Sequence, residues 1–294
     1  MAAITASMVN SLREKTGVGM MKCKEALTAC EGDLEKAVEY LRKQGADVAL
    51  KRADKDAKEG SVFIGSNETK VYAFVLTCET DFVAKGDDFI KLGSDISEAI
   101  KASSAGTVEE VLNLPVGSIT VKGRIDEVLA KIGEKIEIRK FAVVPIGTNE
   151  VVAYYSHSDS HSIGKIGTIV KLAFEGSPNG GKEAVQAVAK TIALHVTMSN
   201  PVALTEGDLQ PELIEKEKGI ALEQVKNEGK TKAEFLDRAV EGRLKKALKQ
   251  LCLLEQAFYS DDKKTVSGIL AEEQKKLGIS SLSVAQFVRF EKGG

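Results

Sequence analysis

The feature that most constrains this fold is a change in the period of its apolar residues near Gly60. Before it, apolar side chains recur every three to four positions, as one face of a helix requires. After it they alternate or run continuously, as strands require. Met8, Val9 and Leu12 give a first helix over about Ile4 to Lys15, and Cys23 and Leu27 line the inner face of a second from Met20 to Cys30. Gly32 stops that helix, Asp33 is placed to cap a third, and Ala37, Val38 and Leu41 point the third inward. With Gly45 read as the end of the unit, residues 1–46 form a three-helix bundle and residues 47–59, rich in Lys, Asp and Ala, its linker. A core that small is marginal alone, which suits a docking module better than a site of chemistry.

From residue 60 the reading is α+β. Ser61 to Ile64 and Val71 to Leu76 flank a Ser66-Asn67-Glu68 turn as a hairpin, and the second strand is apolar on both faces, hence central in its sheet. Phe89, Leu92, Ile96 and Ile100 then form one helical stripe, and after a loop-rich stretch strand alternation returns at Lys135 to Arg139. The order recurs: Val151 to Tyr155 and Gly167 to Leu172 as a hairpin, then a helix from about Lys182 to Met198 with Val185, Val188, Ile192 and Val196 inward. This gives one core part over residues 60–145 and a second over 146–207 and 249–262. Inserted between the two stretches of the second part, residues 208–248 carry a thin apolar seam of Leu213, Ile214, Ile220, Ala221 and Val225. A denser one follows in Phe235, Leu236, Val240, Leu244 and Leu248. Thr231-Lys232-Ala233-Glu234 has capping-box spacing between them, so the segment reads as a protruding helical hairpin, a coiled-coil arm. Residues 263–294 add a C-terminal module with a helix near 264–276 and a strand over Gln286 to Phe290.

The charge balance, 41 Lys plus Arg against 43 Asp plus Glu, gives no concentrated basic surface for a phosphate backbone, so direct nucleic-acid binding is not expected. The run Lys51-Arg52-Ala53-Asp54-Lys55 reads as a solvated linker. Four cysteines without a CxxC pair point to a reduced compartment, and no apolar run approaches a membrane span, so a cytoplasmic location without membrane contact is the expectation. Among three histidines, His157 and His161 flank Asp159 in a stretch between strands, where their spacing does not converge on a metal; His195, in an apolar helix, reads as structural. No phosphate-binding GxxxxGK[ST], GxGxxG or GxSxG pattern occurs, and Asp87-Asp88 reads as helix-start charge. No enzymatic activity, cofactor or bound metal is expected, and the chain looks built for contact.

Two segments resemble the elongation factor Ts family closely: Leu12 to Leu27, which includes Thr16-Gly17-Val18-Gly19-Met20-Met21, and Thr80-Asp81-Phe82-Val83-Ala84-Lys85. Val240-Glu241-Gly242-Arg243-Leu244, Leu253-Leu254-Glu255-Gln256 and Val288-Arg289-Phe290-Glu291 match in family order. The resemblance implies a guanine-nucleotide exchange factor that acts on the GDP form of the GTPase elongation factor Tu, without covalent chemistry. It implies that the N-terminal bundle is like a ubiquitin-associated domain and docks on the partner's nucleotide-binding domain through Arg13, Met20 and Met21. It further implies that Thr80, Asp81, Phe82 and Val83 form a turn that disturbs the partner's Mg²⁺ site, with Phe82 as an apolar wedge. Read without it, Phe82 is a staple on the following helix and Asp81 that helix's cap. A homodimer through the arm stays open, as does a polypeptide-binding role suggested by the bundle alone. Two departures stand out: Lys85-Gly86 follows the turn, where glycine adds freedom, and the His157 to Gly164 segment is longer than usual.

Overall fold

The computed structural model describes residues 4–52, 54–158, 164–228 and 235–293. It divides into two compact units, the first made of residues 1–145, 156–167 and 290–294, the second of residues 146–155 and 168–289. Both are α+β.

The first unit opens with α1 (Ala6–Thr16), α2 (Met20–Ala29) and α3 (Leu34–Lys51). Two of the three starts are capped locally: Thr5 accepts from the Met8 N–H before α1, and the Asp33 carboxylate accepts from the Glu35 and Lys36 N–H groups before α3. Val9, Leu12, Val18, Cys23, Ala26, Leu27, Ala37 and Leu41 close the bundle's core. Gly45 does not end the third helix. A Cβ there would stand 2.4 Å from the Asp126 carbonyl oxygen, so glycine serves a close helix crossing, and α3 runs on through the first third of the expected linker.

The strands β1 (Glu59–Ser66) and β2 (Lys70–Cys78) form the expected hairpin, with the Asn67 side chain accepting from the Thr69 and Lys70 N–H groups in its turn. All nine residues of β2 are buried, and it is the centre of a sheet ordered β1-β2-β5. A one-turn helix α4 (Asp81–Ala84) leads into α5 (Asp87–Lys101). Its Phe89, Leu92, Ile96 and Ile100 are fully buried, each worth roughly 1.5–3 kcal/mol. Buried Lys70 caps the far end of α5 by donating to the carbonyls of Ile100 (2.8 Å) and Ser103, and desolvation holds its amine below the usual lysine range. The stretch expected as loop contains α6 (Val108–Leu112), the two-residue strands β3 (Pro115–Val116) and β4 (Ile119–Thr120), and α7 (Val121–Ile132) before β5 (Glu137–Pro145). Thr120 caps α7 and Gly133 ends it at φ 82°; Val121, Ile125, Val128 and Leu129 are its buried stripe.

The second unit repeats hairpin and helix as β6 (Glu150–His157), β7 (Ile166–Glu175) and α8 (Gly181–Ser199). The paired arm follows as α9 (Pro211–Glu228) and α10 (Leu236–Leu251). Then come β8 (Ala257–Phe258), β9 (Asp261–Thr265), α11 (Val266–Leu277) and β10 (Ser281–Glu291), which completes a sheet ordered β10-β7-β6. In the arm, Ala221, Val225 and Val240 are buried, but Phe235 is 52% exposed and does not join the seam expected of it. The proposed capping box at 231–234 lies outside the described residues. His195 is fully buried and satisfied: the Tyr259 N–H donates to Nδ1 (3.3 Å), so Nε2 carries the hydrogen and donates to Gln256 Oε1 (2.9 Å). No described helix is long and apolar enough to cross a membrane.

Candidate functional site

The Thr80 to Val83 segment is a one-turn helix between a central strand and α5. Its four residues divide by direction. Val83 packs on the cluster that contains Phe89 and Leu92, while Phe82 points out with 83% of its surface exposed. Phe82 is therefore no staple on α5. Nor is Asp81 the cap of α5, whose N-cap is Gly86 with no side-chain cap; Thr80 caps α4, with its Oγ1 accepting from the Val83 N–H at 3.4 Å. The Asp81 carboxylate, about half exposed, takes a hydrogen bond from Lys85 Nζ at 2.8 Å, which holds its pKa below the usual aspartate value. A turn so short cannot hold itself, since one helical turn fixes several residues for very few bonds.

Its rigidity comes from below. The Thr80 N–H and hydroxyl both donate to the Glu134 carboxylate, at 3.0 and 2.8 Å. The buried Cys78 thiol donates to the Thr80 carbonyl at 3.2 Å, and burial pushes that thiol up to about 12, so it is inert as a nucleophile. Glu79 accepts from the Lys135 N–H at 2.7 Å and from Arg52 at 2.6 and 2.7 Å. Burial alone would raise its pKa most strongly, but these bonds together hold it below the ordinary glutamate value. Above the turn, the Gly86 N–H donates to the Val83 carbonyl at 2.9 Å. Gly86 sits at φ −73°, which any residue adopts, so the turn makes no use of the freedom expected of this glycine.

Arg13 on α1 and Met20 and Met21 at the start of α2 are all exposed, the methionines at 47% and 70%. Neither methionine joins the bundle's core. The bundle is fixed against α7 by Arg42 to Glu127 (3.0 Å) and by Lys22 Nζ donating to the Ala130 carbonyl (3.3 Å). Lys131 lies against the α1–α2 turn at Gly17 and pairs with Asp88 in the first turn of α5 at 2.7 Å. The methionine-bearing helix and the Phe82 turn thus belong to neighbouring elements of one unit. Among the described residues no group of three or more His, Cys, Asp or Glu could hold a metal; Asp159 and His161 lie outside them.

The sequence reading did not single out Glu79 or Glu134, and it placed Arg52 in a solvated linker, whereas Arg52 pairs with Glu79. Thr80 and Glu134 are 54 positions apart, and no local pattern announces such a pair.

A family model described as elongation factor TS matches residues 79–294. The chain is 40% identical to elongation factor Ts of Clostridium perfringens (strain SM101 / Type A), over 99% of this chain and 93% of that protein. It is 38% identical to elongation factor Ts of Chloroherpeton thalassium (strain ATCC 35110 / GB-78), over 100% of this chain and 99% of that one. Elongation factor Ts of Clostridium acetobutylicum is 39% identical, over 99% of this chain and 92% of the relative. With most of its length matched by the family model and nearly all of it by these relatives, the chain belongs to the elongation factor Ts family of translation elongation factors.

Proposed function

We propose that this chain is a guanine-nucleotide exchange factor that binds the GDP form of elongation factor Tu, disturbs its Mg²⁺ site and promotes GDP release. The observation that carries the reading is Phe82: a phenylalanine 83% exposed on a turn tied down beneath it. An aromatic side chain held out of the core at a fixed place is what an interaction hot spot requires. Phe82 wedges between elements of the partner, and the Asp81 carboxylate displaces groups that hold the metal indirectly. Thr80 and Val83 supply the frame. Mg²⁺ bridges and neutralises the nucleotide phosphates, so its loss leaves anionic oxygens uncompensated and the nucleotide departs faster.

Arg13, Met20 and Met21 dock residues 1–46 on the partner's nucleotide-binding domain, where methionine's flexible side chain suits an adaptable contact. To weaken nucleotide binding 10⁴-fold, the factor must bind the empty partner better than the loaded one by about 5.5 kcal/mol. Nucleotide expels the factor by the same amount. No bond to substrate forms, so the chain is not an enzyme in the chemical sense, and it works in the cytoplasm without touching nucleic acid or membrane. The arm of α9 and α10 remains available for self-association.

The test is release of labelled GDP from elongation factor Tu with and without this chain. Acceleration at substoichiometric factor is expected; release at the unassisted rate overturns the reading.

A further inference from the structure

The last backbone pair of β2 with β5 is Thr77 with Glu137, and beyond it the two strands part. Two carboxylates continue the connection where the backbone ladder stops. Glu79 reaches across to the Lys135 N–H, and Glu134 reaches back to the Thr80 N–H and hydroxyl. The dipeptides Glu79-Thr80 and Glu134-Lys135 thus exchange side-chain-to-backbone bonds in both directions, directly beneath α4.

The two halves of this clasp do different things. Glu79 is itself held by Arg52 and fixes the strand end. Glu134 acts on the capping residue. By accepting the Thr80 hydroxyl hydrogen at 2.8 Å, it turns the Oγ1 lone pair toward the Val83 N–H, which is the bond that starts the helical turn. We propose that Glu134 is a positioning residue for exchange: it touches no partner group and acts by setting the Thr80 cap, and thereby the direction of Asp81 and Phe82. The exchange part of this proposal rests on the function proposed above.

Without Glu134 the Thr80 hydroxyl turns freely and its N–H faces water. The four-residue turn then samples conformations in which Phe82 is misdirected. Activity of a side chain that is correctly placed only part of the time falls in proportion to that fraction. One charge-assisted bond at this position corresponds to a population change of about tenfold. The docking residues Arg13, Met20 and Met21 are untouched, so the loss falls on the step after docking.

Glu134→Ala is therefore expected to lower the maximal rate of GDP release about tenfold while the half-saturating concentration of factor changes less than about twofold. Glu134→Gln, which keeps one acceptor oxygen, falls between the two. Combined with Asp81→Ala and Phe82→Ala, Glu134→Ala adds nothing further, because there is no longer a side chain to direct. The sequence has no tryptophan, so Phe82→Trp gives a single indole on the turn. Its fluorescence anisotropy drops in the Glu134→Ala background, a readout that needs no partner. If Glu134→Ala does not fold, Glu134→Gln takes its place in both measurements. Unchanged anisotropy overturns the proposal, and so does an unchanged maximal rate or an added loss in the Asp81/Phe82 background. If the unmodified chain releases no GDP, the exchange reading fails by itself, and the anisotropy still decides whether Glu134 holds the turn.

Discussion

Phe82→Ala should separate folding from function. Phe82 is 83% exposed, so only about a sixth of its surface leaves water on folding. Truncating a fully buried phenylalanine costs about 3–5 kcal/mol, and scaling that to the buried share gives on the order of 0.5 kcal/mol. For a domain of this size that lowers the melting temperature by roughly 1–2 °C. Phe89→Ala, which removes a fully buried ring from the same unit, should cost the full amount. Binding behaves oppositely. If Phe82 fills a pocket on nucleotide-free elongation factor Tu, its loss should cost at least about 2 kcal/mol, or roughly 30-fold in affinity. Thermal unfolding followed by circular dichroism gives the first number and isothermal titration calorimetry the second. A fall of more than about 5 °C in the Phe82→Ala melting temperature would place the ring in the fold after all. Unchanged affinity would remove it from the interface.

Two further outcomes follow from the interior. At Gly93 an added Cβ would lie 2.0 Å from the Phe63 ring, which stacks on Phe74 at 5.1 Å; Gly93→Ala should cost about 1–2 kcal/mol despite better helix propensity. Gly219, with nothing within 4 Å, is the control, and Gly219→Ala should gain up to about 1 kcal/mol; denaturant midpoints measure both. His195 is kept below its ordinary pKa chiefly by burial, so the unfolded chain takes up the proton first as pH falls. Its stabilising contribution is complete above about pH 6.5 and is lost as pH drops toward the folded value, at up to about 1.4 kcal/mol per pH unit. His195→Gln should flatten the decline in stability below about pH 6.5; an unchanged slope would assign the decline to another group.

The elements that sequence reasoning captured are those whose burial is one-sided or complete. The stripe of Phe89, Leu92, Ile96 and Ile100 can only be a helix face, and the all-apolar Val71 to Leu76 run can only be a central strand. Gly45 was misread because glycine has two uses, to end a helix and to let two helices approach; only the Asp126 carbonyl beside it tells which. The helix α7 was passed over although Val121, Ile125, Val128 and Leu129 recur at helical spacing; its buried Asp126 is an exception to the apolar rule, paired with Lys122 at 2.5 Å. At the candidate site, the position of the turn between β2 and α5 was legible and its mechanics were not. That Phe82 faces outward depends on Val83 and Ala84 facing inward, and the cap depends on Glu134, far away in sequence. Such contacts are set by strand pairing, which no local window contains.

The most direct test of the central claim is the rate of labelled GDP release from elongation factor Tu, measured by stopped flow with this chain and with its Asp81→Ala, Phe82→Ala variant, in Mg²⁺ and in a chelator. In Mg²⁺ the double variant should be slower by at least about 30-fold. With the metal already removed, the turn has little left to disturb, and the gap should close to within about threefold. A variant as fast as the unmodified chain in Mg²⁺ would contradict the account, and so would a gap that persists undiminished in the chelator.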